Sequence, residues 1–475
     1  MNTDALEAAL FSAERRVLEI QAKLHRWAVD DAHRRFDDLY NLVADHAFLL
    51  VAWFRVRSNT GARTAGVDGV TAHAVRWWQQ ESVLLEQLRV ELKAREFRPM
   101  PVRAVNIPKA NGNVRRLGIP TVRDRVVQAA LKLVLEPIFE ADFRSCSYGF
   151  RPNRRAQDAV TETWHLASNS YEWVVEGDIE ACFDRIDHTA LMDRVRRRIG
   201  DKRVLLLVKA FLKAGILGRD GQIRGSDTGT PQGGILSPLL ANVALSVLDE
   251  HFDQHTISTV ERAKRRRHGL ANYRLIRYAD DFVIMVSGTR AHAEALLPEV
   301  AAVLGTMGLA LSAEKTMITH IDEGLDFLGW RIRRHRKRGT ATHYVYTYPS
   351  KKALRAIMTK VKTACLQNVN DSLADLLRRL NPMLRGWTAY FRPGVSNATF
   401  EYLLLRLAPG HAMDPQETPP DQLGEAAAPL LHRVQPAVVA RRRRRDPVRP
   451  RSGEHHPLPI PGHEDPVAMA EHGVR

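Results

Sequence analysis

The sequence predicts an α+β fold, with helical segments at both ends of its regular part and strands between them. Residues 14–29 and 350–405 repeat apolar side chains at helical spacing. The stretches 102–120, 173–175 and 275–286 contain short runs rich in β-branched residues, which are typical of strands. The 475 residues are enough for roughly two or three domains.

The composition favours a polyanionic partner and argues against a membrane protein. The formal net charge of +16 favours nucleic acid or an anionic membrane surface. The longest apolar run, Ala47 to Phe54, is far too short to span a bilayer, and no signal peptide is visible. Cys146, Cys182 and Cys365 are odd in number and lack CxxC spacing. We therefore expect a reducing, cytoplasmic location and no zinc site.

The N-terminal residues read as a helical extension that covers residues 1–90. Residues 32–56 continue the helical spacing of the first segment. The Gly-rich segment 58–71 that follows could bring backbone close to a phosphate, although plain loop glycines explain it better.

A cationic hairpin is predicted over residues 102–120. Its turn is Asn111–Asn113, and Lys109, Arg115 and Arg116 crowd around that turn. These cations could grip a triphosphate or a nucleic-acid backbone, or they could be solvated surface charges.

The next residues predict a helix and a cationic loop. Residues 121–140 have an amphipathic pattern that we expect to stop at Pro137, because proline breaks helices. In the loop that follows, Arg151, Arg154 and Arg155 are expected to face water or an anionic partner.

Asp178 is the first candidate site residue, because it stands at the end of the predicted strand 173–175. An Asp in this position can cap a helix, which is the usual role, or bind a metal ion. Further along, the turn that contains Pro231–Gly234 runs into a long apolar helix that we expect to lie in the core. The two glycines of this turn would let backbone approach a ligand closely.

The second acidic feature is the pair Asp280 and Asp281, which separates two apolar β-branched runs. The pattern predicts a hairpin with both carboxylates at its tip. Adjacent like charges raise each other's pKa, and a divalent cation removes that conflict. A solvated turn is the alternative. Together with Asp178, however, the pair meets the carboxylate requirement of two-metal phosphoryl transfer.

The helical residues 350–405 mix basic side chains with Trp387, Tyr390 and Phe391. Such a mixture is typical of an RNA-binding surface, but an ordinary helix bundle buries the same side chains.

These motifs together resemble the group II intron reverse transcriptase/maturases, up to about Arg406. The motifs in chain order are TAGVDG, IPKANGNVRRLGIP, SYGFRP, GDIEACFDRIDH, GTPQGGILSPLLANVALSVLD, YADD, LSAEKT, LDFLGW and LNPMLRGWTAYF. The resemblance implies a right-hand polymerase with a helical N-terminal extension. Residues 91–335 would form the reverse transcriptase fingers and palm, and residues 345–407 a truncated helical thumb, the maturase region.

The resemblance also assigns roles to individual residues. It makes Asp178, Asp280 and Asp281 the catalytic ligands of two Mg²⁺ ions. It implies five substrate contacts. Lys109 and Arg115 would contact the incoming triphosphate, Gln232 the nucleotide or template, and Phe183 would block a ribose 2′-hydroxyl, while Lys315 of LSAEKT belongs to the same substrate-binding set. Arg116 stands where the family usually has proline, a change that we expect to be tolerated.

The implied function is that of an RNA-directed DNA polymerase. It would copy intron RNA by adding dNTPs to a DNA primer, and it would assist splicing by binding group II intron RNA. A homodimer is compatible with this function, and the absence of an HNH-like His/Cys cluster predicts no endonuclease domain. One alternative is a polymerase-inactive, RNA-binding splicing cofactor. Another is a retron or defence-type bacterial reverse transcriptase, against which the LNPMLRGW block argues.

The composition changes from about Ala408 onward. Residues 408–475 contain no Phe, Trp or Tyr but 12 of the 24 prolines. Their nine Arg balance nine acidic residues, so the whole net charge lies upstream. We expect a disordered Pro/Arg-rich tail, because this composition is unlikely to form a core. The Arg441–Arg445 run could bind nucleic acid, but a solvated run is the better interpretation.

The genetic code suggests an origin for this tail. Back-translation of Ala412–Pro419, with each codon begun one base later, can read Arg-Trp-Ile-Arg-Arg-Lys-His-Pro, which resembles the family's next segment. The same frame over Gly453–Ala470 can encode a string similar to the family's C-terminal ending. We hypothesise that a frameshift between about Leu403 and Gly410 replaced the native C-terminus.

Overall fold

The computed structural model describes residues 3–77, 80–108, 114–218, 220–337, 339–367 and 372–407. Residues Met1–Leu403 form a first compact unit, and the chain divides after Leu403. Lys109, the turn Asn111–Asn113 and the predicted tail therefore lie outside the described residues.

Groups of helices and groups of strands follow one another through the described residues. The helices are α1 (Thr3–Asp30), α2 (Tyr40–Val43), α3 (His46–Ser58), α4 (Ala72–Trp77), α5 (Glu81–Ala94), α6 (Val122–Glu140), α7 (Ala156–Ala167), α8 (Cys182–Arg185), α9 (His188–Arg198), α10 (Lys202–Leu212), α11 (Ser237–Asp253), α12 (Thr259–Arg267), α13 (Arg290–Gly305), α14 (Lys351–Gln367), α15 (Leu373–Phe391) and α16 (Asn397–Leu407). The strands are β1 (Val102–Pro108), β2 (Val114–Ile119), β3 (Trp173–Gly177), β4 (Ile216–Leu217), β5 (Ile223–Arg224), β6 (Asn272–Tyr278), β7 (Asp281–Ser287), β8 (Met317–His320), β9 (Leu325–Phe327), β10 (Trp330–Arg336) and β11 (His343–Pro349). The predicted α+β class is confirmed.

A four-stranded antiparallel sheet carries the central hairpin. Its strand order is β6-β7-β3-β8. The β6–β7 pair is the strand–turn–strand that the sequence predicts around Asp280 and Asp281. Side chains alternate between the two faces of a strand. Val175 and Ile284 therefore pack in one hydrophobic core together with buried side chains of helices such as α3 and α6. Val174 and Met285 pack in a second core on the opposite face of the sheet.

The cationic hairpin predicted over residues 102–120 is present as β1 and β2. The two strands pair antiparallel, from Arg103 opposite Ile119 to Pro108 opposite Val114. Strand β4 adds in parallel beside β1 and β5 completes the sheet.

The prediction that Pro137 ends its helix is wrong. Helix α6 continues through Pro137 to Glu140, and the proline ring is buried. Proline lacks an N–H, so the carbonyl four residues earlier, that of Leu133, loses its helical partner. The side chain of Gln21 in α1 donates to that carbonyl at 2.7 Å, and this replacement lets the helix continue.

The expected exposure of Arg151 is also wrong. Its side chain is buried and forms an ion pair with Glu140 at 2.6 Å. It also donates to the backbone carbonyls of Arg144 and Ser147. The guanidinium therefore fixes the loop that contains Tyr148 and Gly149 instead of facing a ligand.

The C-terminal helices of the first unit pack on a third sheet with the order β11-β10-β9. Trp330 of β10 packs against Tyr390 and Phe391, and Trp387 contacts Phe391 in turn. The hydroxyl of Tyr390 donates to the carbonyl of Leu328. Of the two interpretations of these aromatic residues, the structure thus supports the helix-bundle core. Among the described residues, no helix is both long enough and apolar enough to cross a membrane.

Candidate active site

Two of the predicted aspartates leave the central sheet side by side. Strands β3 and β7 pair antiparallel, with Gly177 opposite Phe282. Continued by one position, this register brings Asp178 opposite Asp281. Asp178 follows the end of β3 and does not cap a helix, since the next helix begins at Cys182. The structure thereby removes the capping alternative.

The charges of Asp280 and Asp178 both act on the carboxyl group of Asp281. The surrounding protein partly desolvates Asp281, and the charges of Asp280 and then Asp178 add to this effect, so its pKa is raised to about 6. Lys352, at the start of α14, and Lys315 oppose this rise. The site is therefore a concentration of negative charge that nearby lysines offset only in part.

Lys315 lies directly on the acidic cluster. Its ammonium nitrogen is 2.9 Å from Oδ2 of Asp178. The backbone N–H of Ser312 donates to the carbonyl of Asp178 and so ties this loop to the end of β3. The aspartate raises the pKa of Lys315 by its hydrogen bond and its charge. The predicted substrate-binding lysine is thus a neighbour of a predicted metal ligand.

The tip of the β6–β7 hairpin is held by the loop that contains Gly149. Ala279 adopts a left-handed backbone with φ of 57°, which is uncommon for a non-glycine residue. A Cβ atom on Gly149 would lie 2.3 Å from the backbone nitrogen of Ala279. Only glycine permits this approach, so the loop and the hairpin tip fit against each other backbone to backbone.

A buried ion pair supports the same hairpin. Arg277 and Asp249 of α11 have fully buried side chains, and their closest N–O distance is 2.5 Å. Arg277 also donates to Asn242, to Ser147 and to the carbonyl of Ala279. Burial alone would lower the pKa of Arg277, but Asp249 outweighs it and keeps the guanidinium charged.

Sequence reasoning missed this group, although one signal was present. Arg277 interrupts the apolar run of β6, and Asp249 interrupts the apolar face of α11. A charge inside an apolar element is almost never buried without a partner. Lys352 was missed as well, because no local pattern connects the start of α14 with the hairpin.

Two predicted substrate-binding residues meet beside β2. Nε of Arg115 in β2 donates to Oε1 of Gln232 at 2.9 Å. The backbone of Gln232 accepts from the N–H of Gly118, and a Cβ on Gly233 would lie 2.8 Å from the carbonyl of Gly118. Gln232 also reaches Asp184 at 3.4 Å. The glycine turn thus joins β2 to the segment after Asp178.

Phe183 lies in the same region but is mostly buried. It is 8% exposed, and its ring meets Phe150 edge-on at a centroid distance of 6.4 Å. Its carbonyl accepts from the N–H of Thr230. Phe150, which the sequence analysis did not single out, is 49% exposed beside it.

The donor set fits a hard divalent cation, but the protein alone does not enclose one. Carboxylate oxygens are what Mg²⁺ prefers, and Mg²⁺ is usually bound through one or two carboxylates with substrate phosphates and water. Within the part of the chain that the structure describes, no three acidic, His or Cys side chains converge on one ion position. The match between these residues and Mg²⁺ is one of ligand chemistry.

The comparisons with known proteins agree with this geometry. Residues 107–332 match the reverse transcriptase (RNA-dependent DNA polymerase) model, and residues 354–407 match the group II intron maturase-specific domain. The protein YkfC of Escherichia coli K12 is 38% identical over 374 residues, which cover 73% of this chain and 97% of that protein. The chain belongs to the group II intron reverse transcriptase/maturase family. Its fold is that of a right-hand polymerase, and it is an RNA-directed DNA polymerase.

Other relatives are longer than the matched region. The group II intron-encoded protein LtrA of Lactococcus lactis subsp. cremoris is 32% identical over 373 residues, which are 68% of this chain and 60% of LtrA. A 91 kDa protein in the cob intron of Schizosaccharomyces pombe is 30% identical over 369 residues, 66% of this chain and 45% of that protein. The chain thus spans less than two thirds of these two relatives. A Candida albicans telomerase structure matches with a TM-score of 0.40 at 12% identity, and the match covers 76% of this chain and 66% of that chain.

Proposed function

We propose that this reverse transcriptase/maturase copies group II intron RNA by adding dNTPs to a DNA primer 3′ end at the site of Asp178, Asp280 and Asp281. The observation that carries the proposal is the register of β3 against β7, which ends at Gly177 opposite Phe282 and, continued by one position, brings Asp178 opposite Asp281. The raised pKa of Asp281, which burial causes first and the charges of Asp280 and Asp178 increase further, supports the same grouping.

We assign the three aspartates as ligands of two Mg²⁺ ions. When bound, the ions would activate the primer hydroxyl and stabilise the leaving pyrophosphate oxygen. The protein's own contribution is to hold the carboxylates in place through the β3–β7 register and the buried Arg277–Asp249 pair. Lys315 balances part of their charge while it is paired with Asp178.

The nucleotide would lie between the acidic cluster and β2. Arg115 and Gln232 contact each other there, and they would receive the triphosphate and the nucleotide or template. Lys109 belongs to the same proposed set by its position in the hairpin, although it lies outside the described residues. Phe183 would restrict the space beside the ribose 2′-hydroxyl, with the more exposed Phe150 next to it.

The second role is binding of group II intron RNA to assist its splicing. The proposed domains are the N-terminal extension (residues 1–90), the fingers and palm (residues 91–335) and the thumb (residues 345–407). The maturase-specific match lies within the proposed thumb. The charge of +16 supports an RNA partner. We further propose a cytoplasmic location, a DNA target as the primer source, and self-association as a homodimer.

Primer extension tests the polymerase proposal. The full chain, supplied with poly(rA)/oligo(dT), dTTP and Mg²⁺, should extend the primer, and Asp280→Ala and Asp281→Ala should abolish extension. In the same assay with a template of mixed sequence, the Phe183→Val variant should incorporate ribonucleotides that the wild type excludes. A wild type that binds intron RNA but extends no primer would contradict the proposal and favour a polymerase-inactive splicing cofactor.

A further inference from the structure

Strands β10 and β11 form a ribbon whose two faces differ sharply in composition. The register places Arg331 opposite Tyr348, Arg333 opposite Tyr346 and His335 opposite Tyr344. Directly paired residues, and residues two apart on one strand, share a face. One face, called the ribbon face below, therefore consists of Arg331, Arg333, His335, Tyr344, Tyr346 and Tyr348.

The opposite face attaches the ribbon to the rest of the unit. Trp330 and Ile332 on that face are buried in the second core. Arg334 forms ion pairs with Glu172 and Asp322. The indole nitrogen of Trp164 donates to the carbonyl of Val345 at 2.9 Å. Because one face is fixed in this way, the ribbon face points to solvent.

The aromatic rings of the ribbon face form a row that remains accessible. Tyr344 is 46% exposed and Tyr346 is 37% exposed. Their ring planes are 29° apart, with centroids separated by 6.4 Å. His335 extends the row, with centroid distances of 5.7 Å to Tyr346 and 6.1 Å to Tyr348. The row thus offers flat apolar surfaces to an incoming partner.

Cations border this row. Nε of Arg333 donates to the carbonyl of Asp322, and this hydrogen bond holds the arginine side chain in place. Within the described residues, its two Nη groups have no hydrogen-bond partner, so they remain able to donate to a ligand. Arg336 and Lys337 are exposed at the end of β10. Of the nearby acids, Asp326 is paired with Arg331 and Asp322 with Arg334.

We propose that the ribbon face binds single-stranded RNA, with unpaired bases stacked on Tyr344 and Tyr346 and phosphates held by Arg333 and Lys337. Only unpaired bases expose the flat faces that aromatic side chains stack on. The exposed arginine and lysine match a polyanion. The inference rests on the proposed function only in taking RNA as that polyanion.

The competing explanation is that the tyrosines are there because aromatic residues favour strands. Two double variants separate the explanations. Tyr344→Thr with Tyr346→Thr keeps strand preference and removes stacking, whereas Tyr344→Phe with Tyr346→Phe keeps both. Phe11→Ala removes an exposed aromatic ring elsewhere on the chain and is the matched control.

The experiment measures RNA binding by the full chain after its proposed active site has been saturated with an unlabelled primer–template hybrid. The probe is a fluorescent, unstructured, U-rich RNA of about twelve nucleotides, followed by anisotropy. The Thr pair should weaken binding by roughly tenfold or more, while the Phe pair and the Phe11 control stay within about twofold. Arg333→Ala should weaken binding and reduce its salt slope by about one.

Three results would overturn the proposal: unchanged binding by the Thr pair, an equal loss in the Phe pair, or an equal loss on fully base-paired RNA. Primer extension on a short hybrid should be unaffected in the tyrosine variants. If the wild type failed to extend a primer, the proposed polymerase function would fail, but the binding comparison would still be decisive.

Discussion

At the residue scale, the feature on which the site geometry depends most is a glycine outside the acidic motif. Gly149 lets one loop lie directly against the tip of the β6–β7 hairpin. Asn242 donates to the carbonyl of the same glycine and so fixes it from the other side. The positions of Asp280 and Asp281 therefore depend on a residue about 130 positions earlier in the chain.

Gly149→Ala should impair catalysis much more than folding. The added methyl must displace the backbone of Ala279, and a displacement of about 1 Å at reacting groups can cost roughly 10²-fold in rate. Gly305→Ala is the matched control, because its Cβ meets nothing within 4 Å. We expect single-turnover primer extension to fall by about 10²-fold for Gly149→Ala and to stay unchanged for Gly305→Ala. Equal rates in both variants would contradict this role of the glycine.

A second residue-scale prediction concerns Asp124, near the start of α6. Burial raises its pKa to about 6, although hydrogen bonds from Thr121 and Met100 limit the rise. A carboxyl whose pKa rises on folding stabilises the fold fully below its unfolded pKa, and that contribution is lost as the pH rises through about 6. Relative to wild type, Asp124→Asn should therefore gain about 2 kcal/mol in free energy of unfolding between about pH 4.5 and about pH 7.5.

Asp201 supplies the control for this measurement, because its pKa shifts in the opposite direction. Burial opposes its ionisation, but hydrogen bonds from Arg203, Tyr40 and Leu39 outweigh burial and lower its pKa. Its contribution is present above its unfolded pKa and is lost only at more acidic pH. The effect of Asp201→Asn should thus be nearly constant over the same range. An equally flat effect for Asp124→Asn would contradict the raised pKa.

At the scale of elements, local sequence patterns correctly predicted the strands and hairpins, because these depend on residues that are close together in the chain. The β-branched runs around Asp280 and Asp281 gave the hairpin, and the cationic run over residues 102–120 gave β1 and β2. The patterns could not reveal partners distant in sequence. Pro137 fails to end α6 because Gln21 satisfies the Leu133 carbonyl from another helix. The contact of Arg115 with Gln232 likewise required the fold.

The Arg277–Asp249 pair, which links β6 to α11, gives an element-scale prediction. Removal of one member leaves the other as a buried, unpaired charge, which typically costs about 3–5 kcal/mol. Asp249→Ala should lower the free energy of unfolding by this amount in urea titration. The matched control is Glu294→Ala, which removes an exposed pair with Arg290 and should cost at most about 0.5 kcal/mol. Similar costs for both variants would contradict the importance of the buried pair.

At the scale of the whole molecule, residues 1–407 and residues 408–475 differ in net charge. The net charge of +16 arises upstream of residue 408, and the maturase-specific match ends at residue 407. The proposed electrostatic attraction to RNA therefore does not need residues 408–475. Their composition suggested disorder and a frameshift, but they lie outside the described residues, so both remain predictions.

The coding DNA tests the frameshift hypothesis. If the shifted frame encodes the family-like segments over Ala412–Pro419 and Gly453–Ala470, a chain with the restored frame should bind intron RNA more tightly than this chain. Primer extension on a short hybrid should change little, because Asp178, Asp280 and Asp281 lie upstream. A shifted frame without those segments would end the hypothesis.

The central claim is that Asp178 and the Asp280–Asp281 pair form one catalytic centre although they are about 100 residues apart in sequence. The most direct measurement is the single-turnover rate of dNTP addition by the Asp178→Asn variant at saturating primer–template. The control is Asp193→Asn, which changes an exposed aspartate on α9. We predict a loss of at least about 10²-fold for Asp178→Asn, with hybrid affinity retained and the control unaffected. A rate within about threefold of wild type for Asp178→Asn would contradict the account.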